Sequence, residues 1–226
     1  MNRLVLCVEG RGDVDAVPVL VNRLRLSLST EHQGAFFVDS KPLEVGAVNQ
    51  LTGKGKGHWL RYLEIAKKRP NLGAVLLLLD GDLEKVEGQP FCPVQVARTL
   101  AERARETGAG RLFSVGIAFI RQEFESLLVA GYSSLPGSRP DITPPPTPEE
   151  SPRGAKGWLA RNLDGGYKET QHQEKLTREV KFDLIRAGNF RSFRRLEHTV
   201  QELAAAVQTG QHISTPAPPE SSLPES

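Results

Sequence analysis

The sequence predicts an α/β fold in which a mostly parallel sheet is flanked by helices, with a C-terminal helical section. The apolar runs at residues 4–8 and 74–79 are short and continuous, as strands buried on both faces are, and they predict strands at 3–8 and 74–79. A further strand is predicted at 112–120. Segments in which apolar residues recur at helical spacing alternate with these runs. Because strands and helices alternate as far as residue 130, we expect the strands to pair in parallel.

The first part of the chain is predicted to hold two strands and two helices. After the strand at 3–8, Asp13 or Asp15 caps a helix whose apolar residues recur at helical spacing from Val17 onwards. Pro18 is compatible with this helix only if the helix begins near Asp15, so that the proline lies in the first turn. The further elements are a short strand at 35–38, a loop over 41–57 and a helix over 58–68.

The same signals predict the remaining elements and divide the chain into four segments. After a loop over 83–92, a helix begins at Pro93, a residue favoured at helix starts, and ends near Thr107. Later helices are predicted at 122–130, 154–163, about 170–179 and 190–208. The segments are an α/β core over 1–131, a Pro-rich loop over 132–152, a helical C-terminal section packed on the core over 153–208, and a disordered tail over 209–226.

Composition narrows the classes of function. The chain has 226 residues, 38% of them hydrophobic and 25% charged, as is typical of a globular protein with a sizeable core. The formal net charge of +2 gives no general attraction for nucleic acid, so any basic surface must be local. Cys7 and Cys92 are expected to be inert thiols. No apolar stretch approaches the roughly 20 residues of a membrane helix, so we expect no membrane contact and a cytoplasmic location.

Two acidic clusters follow predicted strands and are the strongest functional signal. Glu9 and Asp13 follow the first strand, and Asp80 and Asp82 follow the run 74–79. The carboxyl ends of parallel strands form the ligand crevice of an open α/β sheet, and carboxylates there can bind Mg²⁺. Asp13 alone could equally be a helix cap, and Asp80 and Asp82 an ordinary turn. A glutamate on a second strand favours the metal site.

Three further residues could complete such a site. Glu123 and Glu125 follow the strand at 112–120, and either could join a metal shell. Both could instead be acids that stabilise the start of a helix. Lys156 could neutralise a phosphate as a point charge, although a lone lysine is usually solvated.

Basic residues lie in two segments that could contact a nucleic-acid backbone. Lys54 and Lys56 belong to a glycine-rich loop that lacks the spacing of a phosphate-binding P-loop. Arg191, Arg194 and Arg195 belong to a helical stretch over 186–195 that could form a basic stripe. A mobile loop and a solvated helix face are the structural alternatives.

In their order along the chain, these motifs resemble those of a Toprim-like family of bacterial proteins, a domain of unknown function related to the overcoming-lysogenisation-defect (OLD) nucleases. The resemblance covers about residues 3–205. The matching motifs are Val8-Glu9-Gly10, Asp80-Gly81-Asp82, Glu123-Phe124-Glu125-Ser126, Lys156-Gly157-Trp158-Leu159 and the segment from Tyr167 to His172-Gln173. Asp13, four residues after Glu9, resembles an acid of the OLD version, which binds two metals.

The resemblance implies a Toprim fold and a nuclease that hydrolyses phosphodiesters with Mg²⁺ or Mn²⁺, with DNA or RNA as substrate. The expected metal ligands are Glu9, Asp13, Asp80, Asp82 and one of Glu123 and Glu125. The expected catalytic residues are Glu9, Asp80, Asp82 and Lys156. Members often accompany AAA-type ATPases, which implies that the nuclease belongs to a phage-defence system. The alternative is a non-catalytic partner subunit of such an ATPase. Phosphotransfer on a nucleotide is a third hypothesis.

Overall fold

The computed structural model describes residues 1–53, 56–150, 153–188 and 190–217, except for the side chain of Lys56. The strands are β1 (Asn2–Val8), β2 (Phe36–Val38), β3 (Leu43–Glu44), β4 (Leu72–Gly81), β5 (Lys85–Val86), β6 (Gln89–Pro90), β7 (Ser114–Arg121) and β8 (Ser214–Thr215). The α-helices are α1 (Arg11–Leu26), α2 (Thr30–Gln33), α3 (Lys56–Lys67), α4 (Pro93–Ala104), α5 (Glu125–Ala130), α6 (Ala155–Asn162), α7 (Glu169–Glu179), α8 (Phe182–Ala187) and α9 (Arg191–Thr209).

The described residues form one six-stranded sheet, which confirms the predicted α/β class. Its order is β2-β1-β4-β7-β8, with β3 paired to the end of β1, and every pairing within it is parallel. The strands β5 and β6 form a separate antiparallel hairpin within the segment predicted to be a loop. Alternation along the sequence could not reveal this hairpin, because each of its strands has two residues.

The sheet has a hydrophobic core on each face, because alternate residues of its buried strands point in opposite directions. Leu4 and Leu6 of β1 belong to the core beneath α1 and α9, whereas Val5 and Cys7 belong to the core beneath α3 and α4. Trp59 joins the two helices of the second core by donating a hydrogen bond from Nε1 to the carbonyl of Leu100, at 3.0 Å. Burial raises the pKa of the Cys7 thiol to about 12, consistent with an inert core residue.

The first helix begins earlier than the sequence predicts. It starts at Arg11, so Pro18 lies in its interior rather than in its first turn. Pro18 removes one backbone donor from the helix. Burial of a helix face that includes Leu20 and Val21 compensates for this loss, since tertiary packing supplies most of the stability of a helix in a protein.

The C-terminal helical section is confirmed, but its details differ from the prediction. The predicted basic helical stretch over 186–195 is interrupted, because α8 ends at Ala187 and α9 begins at Arg191. The predicted disordered tail begins too early, since residues 214–215 form β8 beside β7. Short polar strands of this kind lack an apolar pattern, so only their pairing reveals them. None of the helices in the described ranges combines the length and the apolar character needed to cross a membrane.

Candidate functional site

Acidic residues flank the point where the strand order of the sheet reverses. From β1 the chain continues to β2 on one side, whereas from β4 it continues to β7 on the other side. Such a switch point opens a crevice at the carboxyl ends of the strands, where open α/β sheets bind ligands. Glu9 directly follows β1, and Asp80 is the penultimate residue of β4. The two carboxylates therefore stand at the mouth of the same crevice.

Glu9 is tied to the neighbouring strand by a hydrogen bond. The backbone N–H of Asp80 donates to its Oε2 at 3.1 Å. Burial raises the pKa of Glu9, and repulsion by Asp82 and Asp13 adds to this effect, while the bond from the Asp80 N–H opposes it. The net direction is upward, so the crevice disfavours the charge that Glu9 carries near neutral pH.

Asp80 is a half-buried carboxylate that faces several other acids. Burial, and after it repulsion by neighbouring carboxylates, holds the pKa of Asp80 well above the usual range. The repelling groups are Asp13, Glu9, Glu125 and Asp82. Within the described residues, no group donates a hydrogen bond to the Asp80 carboxylate. A half-buried acid that lacks a donor and faces other acids is a poor structural element.

The donor set of the crevice fits a hard divalent cation. Carboxylate oxygens are the ligands that Mg²⁺ and Mn²⁺ prefer, and a cation would relieve the repulsion that raises these pKa values. The described side chains do not already form a metal cage: among them, no three His, Cys, Asp or Glu residues converge closely enough to hold an ion. The residues therefore suit a divalent cation because they are carboxylates and because they line the same crevice.

Asp13 is held in place from two directions. As the third residue of α1, it accepts a hydrogen bond at Oδ2 from the N–H of Gly10, at 3.2 Å. Its Oδ1 accepts from Nε2 of Gln173, on α7, at 3.1 Å. The bond from Gly10 gives Asp13 the helix-start role that the sequence also allows, although the capping position itself is Gly10. Burial, then repulsion from Glu169, raises the pKa of Asp13 against these two hydrogen bonds.

The close contact between α1 and α7 depends on Gly12. A Cβ atom at this position would lie 2.1 Å from Oε1 of Glu169 and 2.5 Å from Oε1 of Gln173. A side chain at this position would displace the ends of Glu169 and Gln173 from where they now lie. Glu169 carries no signal in the sequence, since no local pattern predicts that α7 packs against α1.

The structure separates the two glutamates that follow β7. Glu123 accepts a hydrogen bond at Oε1 from the N–H of Ala155, at 2.7 Å, and so stabilises the start of α6. Glu125 is buried, repels Asp80 and accepts a hydrogen bond from the hydroxyl of Tyr167 at 2.9 Å. Of the two, Glu125 is therefore the one that interacts with the acidic crevice. Burial raises its pKa to about 7, against the effects of Lys156 and Tyr167.

Lys156 is the cation nearest to these acids for which the structure gives contacts. Its Nζ lies 2.6 Å from Oε2 of Glu169 and 3.8 Å from Oε1 of Glu125. Burial lowers its pKa, but the hydrogen bond to Glu169 and the charge of Glu125 outweigh burial and raise it. The lysine is thus charged, and its side chain remains 45% exposed.

The predicted nucleic-acid contacts have different outcomes. Lys54 and the side chain of Lys56 lie outside the described part of the chain. Arg191 and Arg195 line a cleft next to the acidic crevice, whereas Arg194 does not line it. Arg186, at the start of the interrupted stretch 186–195, donates hydrogen bonds to Glu197 and Asp183.

No protein-family model, no curated protein and no solved structure matches the chain. The resemblance to Toprim-like proteins therefore remains a prediction from sequence motifs. Any function must be argued from the crevice itself.

Proposed function

We propose that the protein is a nuclease that hydrolyses phosphodiester bonds with the help of Mg²⁺ or Mn²⁺. The observation that carries this proposal is the placement of Glu9 and Asp80 on adjacent strands at the switch point, with both pKa values raised. Acids that repel each other at a ligand crevice are expected at functional sites more often than at purely structural ones.

Glu9, Asp80 and Asp82 would hold the metal, and Asp13 stands next to them as a further oxygen donor. When bound, the metal would supply an activated water and neutralise charge on the phosphate. The hydrogen bond from the Asp80 N–H orients Glu9, and Gln173 orients Asp13. These contacts fix the carboxylates before a ligand arrives, which lowers the cost of binding.

Lys156 and Glu125 would serve the substrate rather than the metal. Lys156 is charged and partly exposed, and it is anchored by Glu169, so it can stabilise negative charge on a phosphate oxygen. Glu125 has a pKa of about 7, the range in which a carboxyl can both accept and release a proton at neutral pH. The Tyr167 hydroxyl donates a hydrogen bond to this carboxyl and orients it.

The test is a cleavage assay on plasmid DNA and on RNA, with Mg²⁺ or Mn²⁺ and with a chelator in parallel. The double variant Asp80→Asn/Asp82→Asn keeps the shape of the site and removes its charge. The matched control is Asp141→Asn/Asp164→Asn, which removes two exposed aspartates elsewhere. We expect metal-dependent cleavage by the wild type and the control and none by the site variant. Equal cleavage by all three proteins would contradict the proposal.

A second function is favoured by one specific observation. Both oxygens of Asp13 and one oxygen of Glu123 already bind groups of the protein itself. A site with so few uncommitted acids would suit a non-catalytic partner subunit of an AAA-type ATPase, within a phage-defence system. Co-purification of an AAA-type ATPase with the protein, together with no metal-dependent cleavage by the protein alone or with that ATPase, would favour this alternative.

A further inference from the structure

A cleft of about 940 Å³ opens beside the acidic crevice, between β7 and the starts of α4 and α9. Its lining includes five arginines, and we call it the arginine cleft: Arg98, Arg121, Arg153, Arg191 and Arg195. The volume is at the upper end of the range for ligand sites, which is about 300–1,000 Å³.

The cleft exists because the last strand of the sheet is short. β8 pairs with β7 at Val115 and Gly116 only, whereas β7 continues to Arg121. Within the described residues, no further strand covers this outer half of β7. Ile117 and Phe119 therefore contribute an apolar floor to the cleft.

Two of the five arginines, Arg98 and Arg191, have no ion-pair partner among the described residues. Arg121 pairs with Glu150 at 3.2 Å, and the other paired arginines, Arg153 and Arg195, have carboxylates at 3.7 Å. The Nε atom of Arg98 is buried without a hydrogen-bond partner in the described structure. A buried donor without an acceptor costs free energy unless a ligand supplies one.

Arg191 is left unpaired because the nearby acid has another role. Glu149 is buried and accepts hydrogen bonds from the backbone N–H groups of Arg191 and Ser192, at 3.0 and 3.1 Å, at the start of α9. Its carboxylate therefore stabilises the helix, and the exposed guanidinium of Arg191 remains available. Guanidinium groups bind phosphate in a forked geometry, which makes an oxyanion the ligand that suits this position.

Part of the cleft lining is apolar and partly aromatic. Phe91 is half-buried and packs edge-on against Phe119, with ring centroids 5.6 Å apart. Val94, in the first turn of α4, is 53% exposed. Aromatic surface beside positive charge is the combination with which proteins bind single strands of nucleic acid, because bases stack while phosphates pair with arginine.

We propose that the arginine cleft binds a single strand of nucleic acid and leads it to the acidic crevice. Arg98 and Arg191 would contact phosphates, and Phe91 would pack against a base. Asp82 and Glu123 line the cleft as well, so a strand lying in it approaches the acids of the proposed metal site. A base can pack against Phe91 only where it is not already stacked inside a duplex, so a single strand is the ligand that suits the cleft. The statement that the cleft delivers the strand to a hydrolytic site rests on the proposed function, whereas the binding of the strand in the cleft does not.

The test is the binding of a fluorescent single-stranded oligonucleotide to the full chain, measured by anisotropy in the presence of a chelator. The probes are DNA and RNA of one sequence, the corresponding duplex, and an acidic peptide. The site variant is Arg98→Ala/Arg191→Ala. The matched control is Arg105→Ala/Arg111→Ala, which removes two exposed arginines that do not line the cleft.

We expect the wild type and the control to bind the single strand better than the duplex, and the site variant to bind it at least about tenfold more weakly. Val94→Glu adds a negative charge at an exposed position of the cleft and should weaken binding similarly, while circular dichroism shows an unchanged fold. Equal affinity of the variants and the control would overturn the proposal, as would a preference for the duplex or for the acidic peptide. Tight binding of the single strand without metal-dependent cleavage would refute the proposed nuclease and support the arginine cleft as a binding site. Metal-dependent cleavage that the cleft variants leave unchanged would support the nuclease and refute the role of the cleft.

Discussion

Asp39 and Asp80 are two aspartates in similar positions with opposite surroundings. Asp39 directly follows β2, and Asp80 stands at the end of β4 in the same sheet. Arg3 and Arg69 bind Asp39 at 2.7 and 2.8 Å. Burial opposes the ionisation of Asp39, but hydrogen bonds from Arg3, from the N–H of Lys41 and from Arg69 outweigh it and lower the pKa. The pKa of Asp80 moves the other way, because its neighbours are acids.

The difference distinguishes a structural acid from an acid kept for a ligand. Around Asp39, the protein supplies all the positive charge that the carboxylate needs. Around Asp80, it supplies further carboxylates, and the nearby lysine, Lys156, is bound to Glu169. Repulsion between these carboxylates lowers the stability of the folded protein, and such strain is typical of functional sites. The comparison makes opposite predictions for the two regions.

The largest expected effect is on cleavage. Glu9→Gln should reduce metal-dependent cleavage at least about a thousandfold, since removal of one member of a catalytic set acts on this scale. Asp39→Asn should leave the cleavage rate per folded molecule within about twofold. Initial rates, corrected for the folded fraction by circular dichroism, measure both. If the two variants lose activity to the same extent, the acids of the crevice have no special role.

The next effect is a dependence of stability on pH. The folded-state pKa of Glu125 is raised from 4.5 to about 7, so its contribution to stability is full below pH 4.5 and is lost as the pH rises through 7. The loss is on the order of 3 kcal/mol. In chelator, Glu125→Gln should therefore gain stability relative to the wild type between pH 5 and pH 8, as urea unfolding would show. Parallel pH curves for the two proteins would argue against a strained carboxylate.

A smaller effect has opposite signs in the two regions. Asp39→Ala should lower the free energy of unfolding by about 2 kcal/mol, because it leaves Arg3 and Arg69 without their shared partner. Asp80→Asn should raise the free energy of unfolding by about 1 kcal/mol in chelator, because it removes a repelled charge. Urea unfolding at pH 7.5 gives both values. Destabilisation by both substitutions would erase the distinction between the two aspartates.

The sequence was sufficient for β1, β2, β4 and β7 and for the acids at their carboxyl ends, since apolar runs and strand-end carboxylates are local features. It could not choose between Glu123 and Glu125, because the choice depends on where β7 ends. The prediction began the next helix at residue 122, whereas β7 extends to Arg121 and α5 begins at Glu125. With that shift of three residues, Glu123 lies against the start of α6 and accepts a hydrogen bond from Ala155, whereas Glu125 faces the acidic crevice.

Contacts between distant segments lay beyond the reach of local patterns. Gln173 reaches Asp13 across 160 positions, and only the packing of α7 on α1 brings them together. The arginine cleft likewise depends on where β8 stops, and β8 lies in a segment whose composition predicts disorder. Arg98 and Phe91 carried no signal in the sequence, because a single arginine or phenylalanine in a helix or loop is usually structural.

The most direct test of the central claim is a crystal of the protein soaked in Mn²⁺, with data collected for anomalous scattering. The claim is that the repelling acids at the switch point form a metal site. It predicts an anomalous peak between Glu9 and Asp80 in the wild type, and none there in crystals of Asp80→Asn. A saturating soak that leaves the wild-type crevice without a peak, while Mn²⁺ binds elsewhere on the molecule, would contradict it.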